Sequence, residues 1–333
     1  MSIIRKRTYA RAGLIGNPSD GYGGKTIALS VKNFSAEVVL YESPQLEIRP
    51  SIHDRLVYRG VEDLITDVRH AGYYGGIRLI KAAIGKFVDH ARDKGCTLHG
   101  RNFTVTYDTD IPKQVGLAGS SAIITSVFKA LMDFYRVDID QPILPNIVLS
   151  VETEELKLAA GLQDRVIQTY GGLVYMDFAP SIMERQGYGL YESMDTSLLP
   201  DLILVYVEKP SESDKFHSDV RFRFQNRDKE VLDAMKRFAR LTDQAKASLE
   251  KGDIERLGKL MNENFDLRRR IYGDRVIGSD NLRMIELVRA EGAPAKFTGS
   301  GGAIIGVVEN RAQFQSISRR ARAEGFKVVK IKT

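Results

Sequence analysis

The sequence predicts a mixed protein of helices and strands that folds in two lobes. A chain of 333 residues is longer than one hydrophobic core usually organises. Its composition, 43% hydrophobic and 28% charged, is typical of a globular protein with a sizeable core. Strand-like and helix-like apolar patterns follow one another along the chain. Their looser composition between residues 179 and 199 marks the expected boundary between the lobes.

Charge and cysteine content restrict the partners and the compartment. The 49 basic and 43 acidic residues give a net charge of +6, spread along the chain rather than gathered in a nucleic-acid-binding patch. A mild cationic excess suits an anionic substrate. Cys96 is the only cysteine, so no intrachain disulfide forms, and no run approaches the ~18 apolar residues of a membrane span. We expect a soluble cytosolic protein with no nucleic-acid or membrane partner.

The first half of the chain predicts strands, a few helices and two unusual loops. A loop dense in turn formers covers residues 17–24, and Gly72-Tyr73-Tyr74-Gly75-Gly76 opens a helix. The predicted strands are 8–16, 27–41, 103–107 and 173–178. The predicted helices are 62–68, 76–91, 143–159 and 166–170, together with one that follows the central glycine loop and runs through Tyr135.

The second half of the chain predicts charged amphipathic helices between short apolar strands. A polar loop covers residues 209–219, and a glycine-rich loop covers 296–302. The predicted strands are 202–207, 303–308 and 326–331, and the predicted helices are 230–251, 253–270, 280–291 and 311–324.

The stretch from Ile111 to Ala122 carries the strongest chemical signal. Gly116 and Gly119 allow close approach of backbone N–H groups to a ligand, and a long apolar helix follows. Ser120 or Ser121 is expected to cap that helix, whose positive end favours phosphate oxygens. Taken alone, the same pattern also fits an ordinary glycine loop before a core helix.

A second glycine loop is a false signal. Gly24-Lys25-Thr26 ends like a Walker A loop, but Ser19 stands where the leading glycine is required. The residues that follow predict a strand, whereas a phosphate-binding loop of that type opens a helix. We therefore predict no such loop here.

Three stretches together resemble the motifs of the GHMP kinases, named for galactokinase, homoserine kinase, mevalonate kinase and phosphomevalonate kinase. Pro112 with Gly116–Ala122 resembles their phosphate-binding motif, Lys296–Gly302 their C-terminal glycine motif, and Ala10–Asp20 their N-terminal substrate motif. Within that superfamily, the motif sequences most resemble those of the glucuronokinases, which are sugar-acid kinases. Residues 72–76, 160–166 and 264–270 contribute to that resemblance.

The resemblance implies an α+β fold of two lobes with ATP in the cleft between them. The N-terminal domain, residues 1–180, would hold the phosphate loop, and the C-terminal domain, residues 181–333, would be ferredoxin-like. The implied function is phosphorylation of the anomeric hydroxyl of D-glucuronate, with ATP and Mg²⁺. The alternatives are a kinase for galacturonate, a hexose or a heptose phosphate, and an inactive sensor that binds ATP and sugar. A monomer and a homodimer are both open.

The resemblance also implies which residues bind the nucleotide and the metal. Mg²⁺ would be held by Ser121 and Glu152, since it takes few protein oxygens and keeps water and phosphates for the rest. For Glu152 the competing interpretation is a surface helix carboxylate beside Glu154 and Glu155. The nucleotide-binding residues would be Pro112, Gly116, Leu117, Ala118, Gly119, Ser120, Ser121 and Ala122, with Thr298, Gly299, Ser300, Gly301 and Gly302 in the C-terminal motif.

Asp164 and Arg11 are the implied catalytic residues. Asp164 follows Glu152 by 12 residues, similar to the gap between metal ligand and base in galactokinases, and would take the proton of the sugar hydroxyl. A helix N-cap is its competing interpretation. The residue after the base is Arg165 here, where the family often has glutamine. Arg11 would stabilise developing charge and keep Asp164 ionised; otherwise it is a solvent-facing strand residue.

The implied substrate contacts include hydroxyl ligands and a partner for the carboxylate. Asn17 and Asp20 would hold sugar hydroxyls, with a local turn as the competing role for Asp20. A uronate adds a carboxylate, which a bidentate arginine binds best. The remaining candidates are the loop residues Tyr74, Gly75 and Gly76, and the arginines Arg165, Arg268 and Arg269.

Overall fold

The computed structural model describes residues 3–49, 75–208 and 218–333. Within these ranges the strands are β1 Ile3–Ile15, β2 Lys25–Glu42, β3 Glu47–Arg49, β4 Phe103–Thr109, β5 Leu173–Asp177, β6 Leu190–Met194, β7 Leu202–Tyr206, β8 Ala295–Phe297, β9 Ala303–Val307 and β10 Lys327–Lys330. The helices are α1 Gly76–Asp93, α2 Gly119–Tyr135, α3 Leu144–Ser150, α4 Leu162–Tyr170, α5 Pro180–Gln186, α6 Ser218–Gln225, α7 Lys229–Glu250, α8 Ile254–Tyr272, α9 Asp274–Ile277, α10 Ser279–Ala290 and α11 Arg311–Ala323.

The chain forms two compact units. The first comprises Met1–Ala10, Phe34–Ile111 and Ala118–Thr169. In it, β4 pairs antiparallel with the second half of β2 and parallel with β3. Helices α1 and α2 pack together through buried aromatic rings: Phe87 meets Phe128 edge to face at 5.8 Å between ring centroids, a favourable geometry.

The second unit comprises Arg11–Asn33, Pro112–Leu117 and Tyr170–Thr333. Here the first half of β2 pairs antiparallel with β5, which also pairs with β6. A separate antiparallel sheet has the strand order β10-β7-β9-β8. The long helices α7 and α8 pack on each other, and Phe265 of α8 meets Phe297 of β8 at 5.6 Å. The central strand β7, Leu-Ile-Leu-Val-Tyr, is almost wholly apolar because both its faces are covered.

Most predicted elements are confirmed to within a few residues. Residues 25–42 form a strand, which confirms that Gly24-Lys25-Thr26 does not open a helix. The helix predicted over 143–159 was too long: a π-helical turn replaces the α-helix at Val151–Glu155, and Lys157 has a left-handed φ of 56°. The predicted helix 62–68, and the predicted polar loop 209–219 up to residue 217, lie outside the described residues.

The loose stretch before residue 200 contains regular structure. Helix α5 and strand β6 lie there, and β6 pairs with β5 along its whole length. The segment Tyr170–Thr333 belongs continuously to the second unit. The division at residue 180 stays a prediction from sequence. Among the described helices, none is both long and apolar enough to cross a membrane.

Lys129 on α2 provides a test of burial in the first unit. Its Nζ donates to the Gln168 carbonyl at 2.9 Å, and burial, with the nearby charge of Lys6, lowers its pKa to about 8. Below pH 8 the lysine is charged in the native state, and its burial lowers the free energy of unfolding by the full amount. Above the unfolded-state pKa of about 10.4 the lysine is neutral in both states, and this destabilisation vanishes. The lysine therefore destabilises the protein most at neutral pH.

We expect Lys129→Met to stabilise the protein at pH 7 by about 2 kcal/mol, after allowance for the lost hydrogen bond. The gain should shrink as pH rises from 8 towards 10.4. Urea unfolding at several pH values measures it, with the exposed Lys32→Met as control. A gain that is constant with pH would contradict the titration argument.

Candidate active site

Two glycine-containing loops of the second unit, Pro112–Leu117 and Lys296–Gly302, pack backbone against backbone. Gly116 has a φ of 67°, and a Cβ there would lie 2.6 Å from the carbonyl oxygen of Gly301. Gly302 has a φ of 78°, and its Cβ would lie 2.7 Å from Cα of Val115. Only glycine combines a left-handed backbone with such close approach. The two loops therefore interlock, and this explains why both motifs are glycine-rich.

Arg11 ties these two loops together. Its Nη1 donates to the carbonyl of Gly116 at 2.5 Å and to that of Thr298 at 3.1 Å, and the side chain is buried. A Cβ at Gly299 would lie 2.7 Å from the same Nη1. The guanidinium is thus held against both glycine motifs. The solvent-facing position that was the competing interpretation for Arg11 is not what the structure has.

Arg268 holds the C-terminal glycine motif. Its two terminal nitrogens donate to the carbonyls of Gly299 at 2.7 Å and Ser300 at 3.1 Å. The planar group lies 4.7 Å from the Phe297 ring centroid and 5.3 Å from that of Tyr272. Bidentate donation combined with stacking is geometry that lysine does not provide. The neighbouring Arg269 instead forms an exposed ion pair with Asp274 at 2.6 Å.

We expect Arg268→Met to destabilise the protein by about 2 kcal/mol, because two part-buried loop carbonyls lose their charged donor. Urea unfolding measures the loss, and the Michaelis constant for ATP should rise with it. Arg269→Met is the matched control, since its ion pair is exposed and should contribute little. Equal effects of the two substitutions would contradict the proposed stabilisation of the C-terminal glycine motif by Arg268.

The N-terminal substrate motif is anchored from two sides within the second unit. Asn264 of α8 accepts from the Gly16 N–H at 2.7 Å and donates to the Asn17 carbonyl at 3.1 Å. Lys296 of β8 donates from Nζ to the carbonyl of Gly13 at 2.9 Å and to Oδ1 of Asn17 at 2.5 Å. Asn264 and Lys296 are fully buried. The backbone of residues 13–17 is therefore fixed before any ligand arrives.

Charges around this motif are mostly positive. Burial and the charges of Arg268 and Arg11 lower the pKa of Lys296 well below its usual value, whereas Asp20 raises it. Tyr22 and Tyr272 are also close to Asp20 and Arg268, and burial is the main cause that raises both phenol pKa values. Asp20 lies in a short 3-10 helix, Ser19–Tyr22. In the second unit, two arginines and one carboxylate are therefore the charged groups that act on Lys296.

In the first unit, the start of α2 has no side-chain cap. Ala118 precedes the helix with a left-handed φ of 62°. The expectation that Ser120 or Ser121 caps the helix was wrong, because the N-cap is Ala118, two to three residues earlier, and both serines lie in the first helical turn. Ser121 Oγ donates back to the Ala118 carbonyl at 3.2 Å, and Gln168 Nε2 donates to it at 2.8 Å. The first N–H groups of a 17-residue helix remain uncapped by side chains, an arrangement that favours an anion.

Glu152, Asp164 and Arg165 are neighbours in the first unit. Arg165 forms a buried ion pair with Oε2 of Glu152, and its Nη1 lies 3.3 Å from Oδ2 of Asp164 and 2.8 Å from the Gly161 carbonyl. Glu152 is 5% exposed and sits in the π-helical turn, so it is not a surface carboxylate. Asp164 lies in the first turn of α4, and its side chain is 21% exposed. The charge of Arg165 is therefore paired with two carboxylates of the protein itself.

The oxygen donors fit a hard cation such as Mg²⁺. Ser121 supplies a hydroxyl and Glu152 a buried carboxylate. Mg²⁺ typically takes one or two such protein ligands and completes its octahedron with phosphates and water. Within residues 3–49, 75–208 and 218–333, no group of three or more His, Cys, Asp or Glu forms a metal cluster. The chain thus suits a cation that arrives with its nucleotide.

The loop before α1 is described only in part. Gly75 is the N-cap residue of α1 and is fully extended, and Gly76 packs against the phenol of Tyr107. Tyr74 lies outside the described residues. The candidates Tyr74, Gly75 and Gly76 stay predictions.

Sequence analysis missed three residues that shape the site. Lys296 and Asn264 lie inside the stretches that carry the resemblance, but neither was given a role. Gln168, which holds the Ala118 carbonyl, carried no signal. A lysine inside a short apolar strand, here between Ala295 and Phe297, is rarely buried, and that position was the available clue for Lys296.

Comparison with known proteins now gives the class. The model of the GHMP kinases N terminal domain matches residues 78–172, and that of the GHMP kinases C terminal domain matches residues 245–327. A solved mevalonate kinase of Methanococcus jannaschii superimposes with a TM-score of 0.73 at 17% identity over 100% of this chain and 99% of that chain. A solved galactokinase of Lactococcus lactis, in complex with galactose, gives 0.75 at 15% identity over 99% and 93%.

The chain belongs to the GHMP kinases, and it is an ATP-dependent phosphotransferase of that family. The predicted fold class is thereby confirmed. Among curated proteins, Glucuronokinase 1 of Arabidopsis thaliana is 44% identical over 335 aligned residues, which cover 99% of this chain and 92% of the relative.

Proposed function

We propose that this kinase transfers the γ-phosphoryl group of ATP to the anomeric hydroxyl of D-glucuronate and releases D-glucuronate 1-phosphate and ADP. The 44% identity to a glucuronokinase along almost the whole chain is the observation that carries this proposal. The cationic surroundings of the N-terminal substrate motif support it, because they suit an acidic sugar better than a neutral one.

Asp164 is the proposed general base. It would accept the proton of the sugar hydroxyl while that oxygen bonds to the γ-phosphorus and the bond to the bridging oxygen of ADP breaks. Its partial exposure at the start of α4 leaves room for a substrate, and Nη1 of Arg165 lies 3.3 Å from its Oδ2.

Arg11 and the uncapped start of α2 are the proposed phosphate-stabilising groups. Because phosphoryl transfer depends mainly on positioning and charge stabilisation, rigid donors count for more than reactive side chains. Arg11 is rigid, since two carbonyls hold its Nη1. Ser121 and Glu152 are the proposed ligands of Mg²⁺, which when bound neutralises charge on the phosphates.

The test is ADP release in the presence of D-glucuronate, D-galacturonate, D-glucose, D-galactose or no sugar. We expect turnover on D-glucuronate, with the two neutral sugars and the sugar-free reaction at least about 10-fold slower, because a site built for a carboxylate discriminates strongly against its absence. D-galacturonate keeps the carboxylate and differs only at C4, so its turnover separates recognition of the acid from recognition of the hydroxyls. Phosphorus NMR of the product distinguishes a 1-phosphate from other esters. Preferential turnover of a neutral sugar would keep the kinase class and remove the proposed substrate.

A further inference from the structure

We propose that Lys296 is a positioning residue that orients the side-chain amide of Asn17, so that Asn17 presents its N–H donor to the carboxylate of the sugar acid. This inference rests on the proposed function, and it assigns the Asn17 amide as the group that binds the carboxylate of the substrate. None of the arginines Arg165, Arg268 and Arg269 then needs to leave its protein partners.

Three oxygens surround Nζ of Lys296. They are the carbonyls of Gly13 at 2.9 Å and Phe297 at 2.5 Å, and Oδ1 of Asn17 at 2.5 Å. An ammonium has three N–H donors and no acceptor, so it satisfies all three oxygens at once, whereas a neutral amine has one donor too few. Lys296 is 1% exposed, so none of its donors serves water. Its geometry therefore requires that an oxygen, and not a nitrogen, of Asn17 faces it.

The orientation of the Asn17 amide follows from this contact. With Oδ1 held by Lys296, the amide nitrogen points the other way, and the flip is fixed by the network rather than chosen freely. Asn264 donates to the Asn17 carbonyl at 3.1 Å and accepts from the Gly16 N–H at 2.7 Å. The backbone is therefore held and does not rotate the amide into another orientation. The backbone around Asn17 and its side-chain oxygen are thus fixed, and one polar group of its side chain remains to be described.

That group is Nδ2 of Asn17, which is buried and makes no hydrogen bond among the described residues. A buried donor left unpaired costs about 1–3 kcal/mol. Asn17 itself is only 4% exposed. A site that keeps such a donor is poised for a ligand that supplies the acceptor.

The charges around the donor indicate which acceptor it takes. Arg11 and Arg268 each interact electrostatically with Lys296, and Asp20 is the one carboxylate among the charged groups that act on it. A hydroxyl could both donate and accept, but a carboxylate is acceptor-only and carries the balancing charge. A phosphate oxygen of ATP has the same chemistry. We assign the sugar carboxylate because the proposed function already gives the phosphates their donors at the start of α2, which side chains leave uncapped.

Asn17→Asp is the decisive variant. Aspartate has the same shape and still accepts from Lys296, so the fold is kept, but it replaces the free donor by an anionic oxygen. We expect kcat/KM for D-glucuronate to fall at least about 100-fold, mainly through KM, because a charge-assisted hydrogen bond becomes a repulsion. The KM for ATP should stay within about twofold. The ratio of kcat/KM for D-glucuronate to that for D-glucose should fall with it.

Two Lys296 variants separate orientation from mere structure. Lys296→Met removes the donor at similar length and should raise KM for D-glucuronate about 10-fold, since the Asn17 amide is no longer fixed. Lys296→Gln keeps an N–H and should restore part of that loss. A purely structural role would lower the melting temperature and kcat alike, without selective change in the sugar KM. The controls are Asn310→Asp, an exposed N-cap that aspartate serves equally, and the surface variant Lys259→Met.

The outcomes distinguish this inference from the proposed function. Wild-type activity on D-glucuronate together with an unchanged glucuronate-to-glucose ratio in Asn17→Asp would overturn the inference alone. A rise in KM for ATP rather than for the sugar would assign the donor to phosphate and also overturn it. Wild-type preference for a neutral sugar would overturn the proposed function first, and the inference with it.

Discussion

Replacing Asp164 with asparagine is expected to reduce kcat at least about 100-fold, the lower range for loss of a general base. Asparagine is isosteric and still accepts from Nη1 of Arg165, so α4 should form as before. It does not accept the proton of the attacking hydroxyl. Affinity for ATP should stay within about twofold, because the phosphate-binding groups proposed here are backbone N–H groups and Arg11.

ADP release and calorimetric titration with a non-hydrolysable ATP analogue measure these two quantities. Asp133→Asn is the matched control in the same unit, since Asp133 forms a half-exposed ion pair with Lys6 at 2.6 Å. Full turnover in Asp164→Asn would remove Asp164 as the base. Loss of nucleotide binding as well would indicate that Asp164 supports the nucleotide site rather than the proton transfer.

Gly116→Ala is expected to destabilise the protein by about 3 kcal/mol or more and to raise KM for ATP about 10-fold. Two costs add at this position. Alanine is strained at a φ of 67°, and its Cβ would lie 2.6 Å from the Gly301 carbonyl oxygen. Because that neighbour is backbone in the interlocked loop, the two glycine motifs must separate for the methyl group to fit.

Gly252→Ala is a closely matched control. Gly252 lies between α7 and α8 with a φ of 68°, but a Cβ there meets nothing within 4 Å. Its substitution should cost only the backbone strain, about 1–2 kcal/mol, and leave KM for ATP unchanged. Urea unfolding and ATP titration of both variants measure the difference. Equal stability losses would show that the approach of Gly116 to Gly301 does not matter.

The local patterns of the sequence were sufficient for the fold. The apolar periodicity of α2 and the alternation in β4 depend on residues three or four, and two, apart, so they were predicted within a few positions. The π-helical turn at Val151–Glu155 was not, because it breaks the helical period without any proline or glycine to mark it. The N-cap of α2 was predicted at Ser120 or Ser121 but is Ala118, because Ala118 takes a left-handed conformation that glycine usually adopts.

The candidate site was predictable only as a set of stretches. The sequence pointed to Arg11, Asp164 and the two glycine motifs through their resemblance to a kinase family, and the roles of these residues stay predictions. Their contacts could not be read from it. Arg268 was considered for a substrate carboxylate, and in the structure it binds two loop carbonyls. Arg165 was considered for the same task, and it lies between Glu152 and Asp164.

What the sequence determined by itself was the class of chemistry, because three local motifs, each ambiguous alone, together resemble those of one kinase family. What only the tertiary structure decided was which polar groups are already occupied. Lys296 and Asn17 are 279 positions apart, and Arg268 and Gly299 are 31 apart. Side chains so distant in sequence meet only after the core has packed. The hydrogen bonds that leave Nδ2 of Asn17 as a buried donor are therefore a property of the fold and not of any motif.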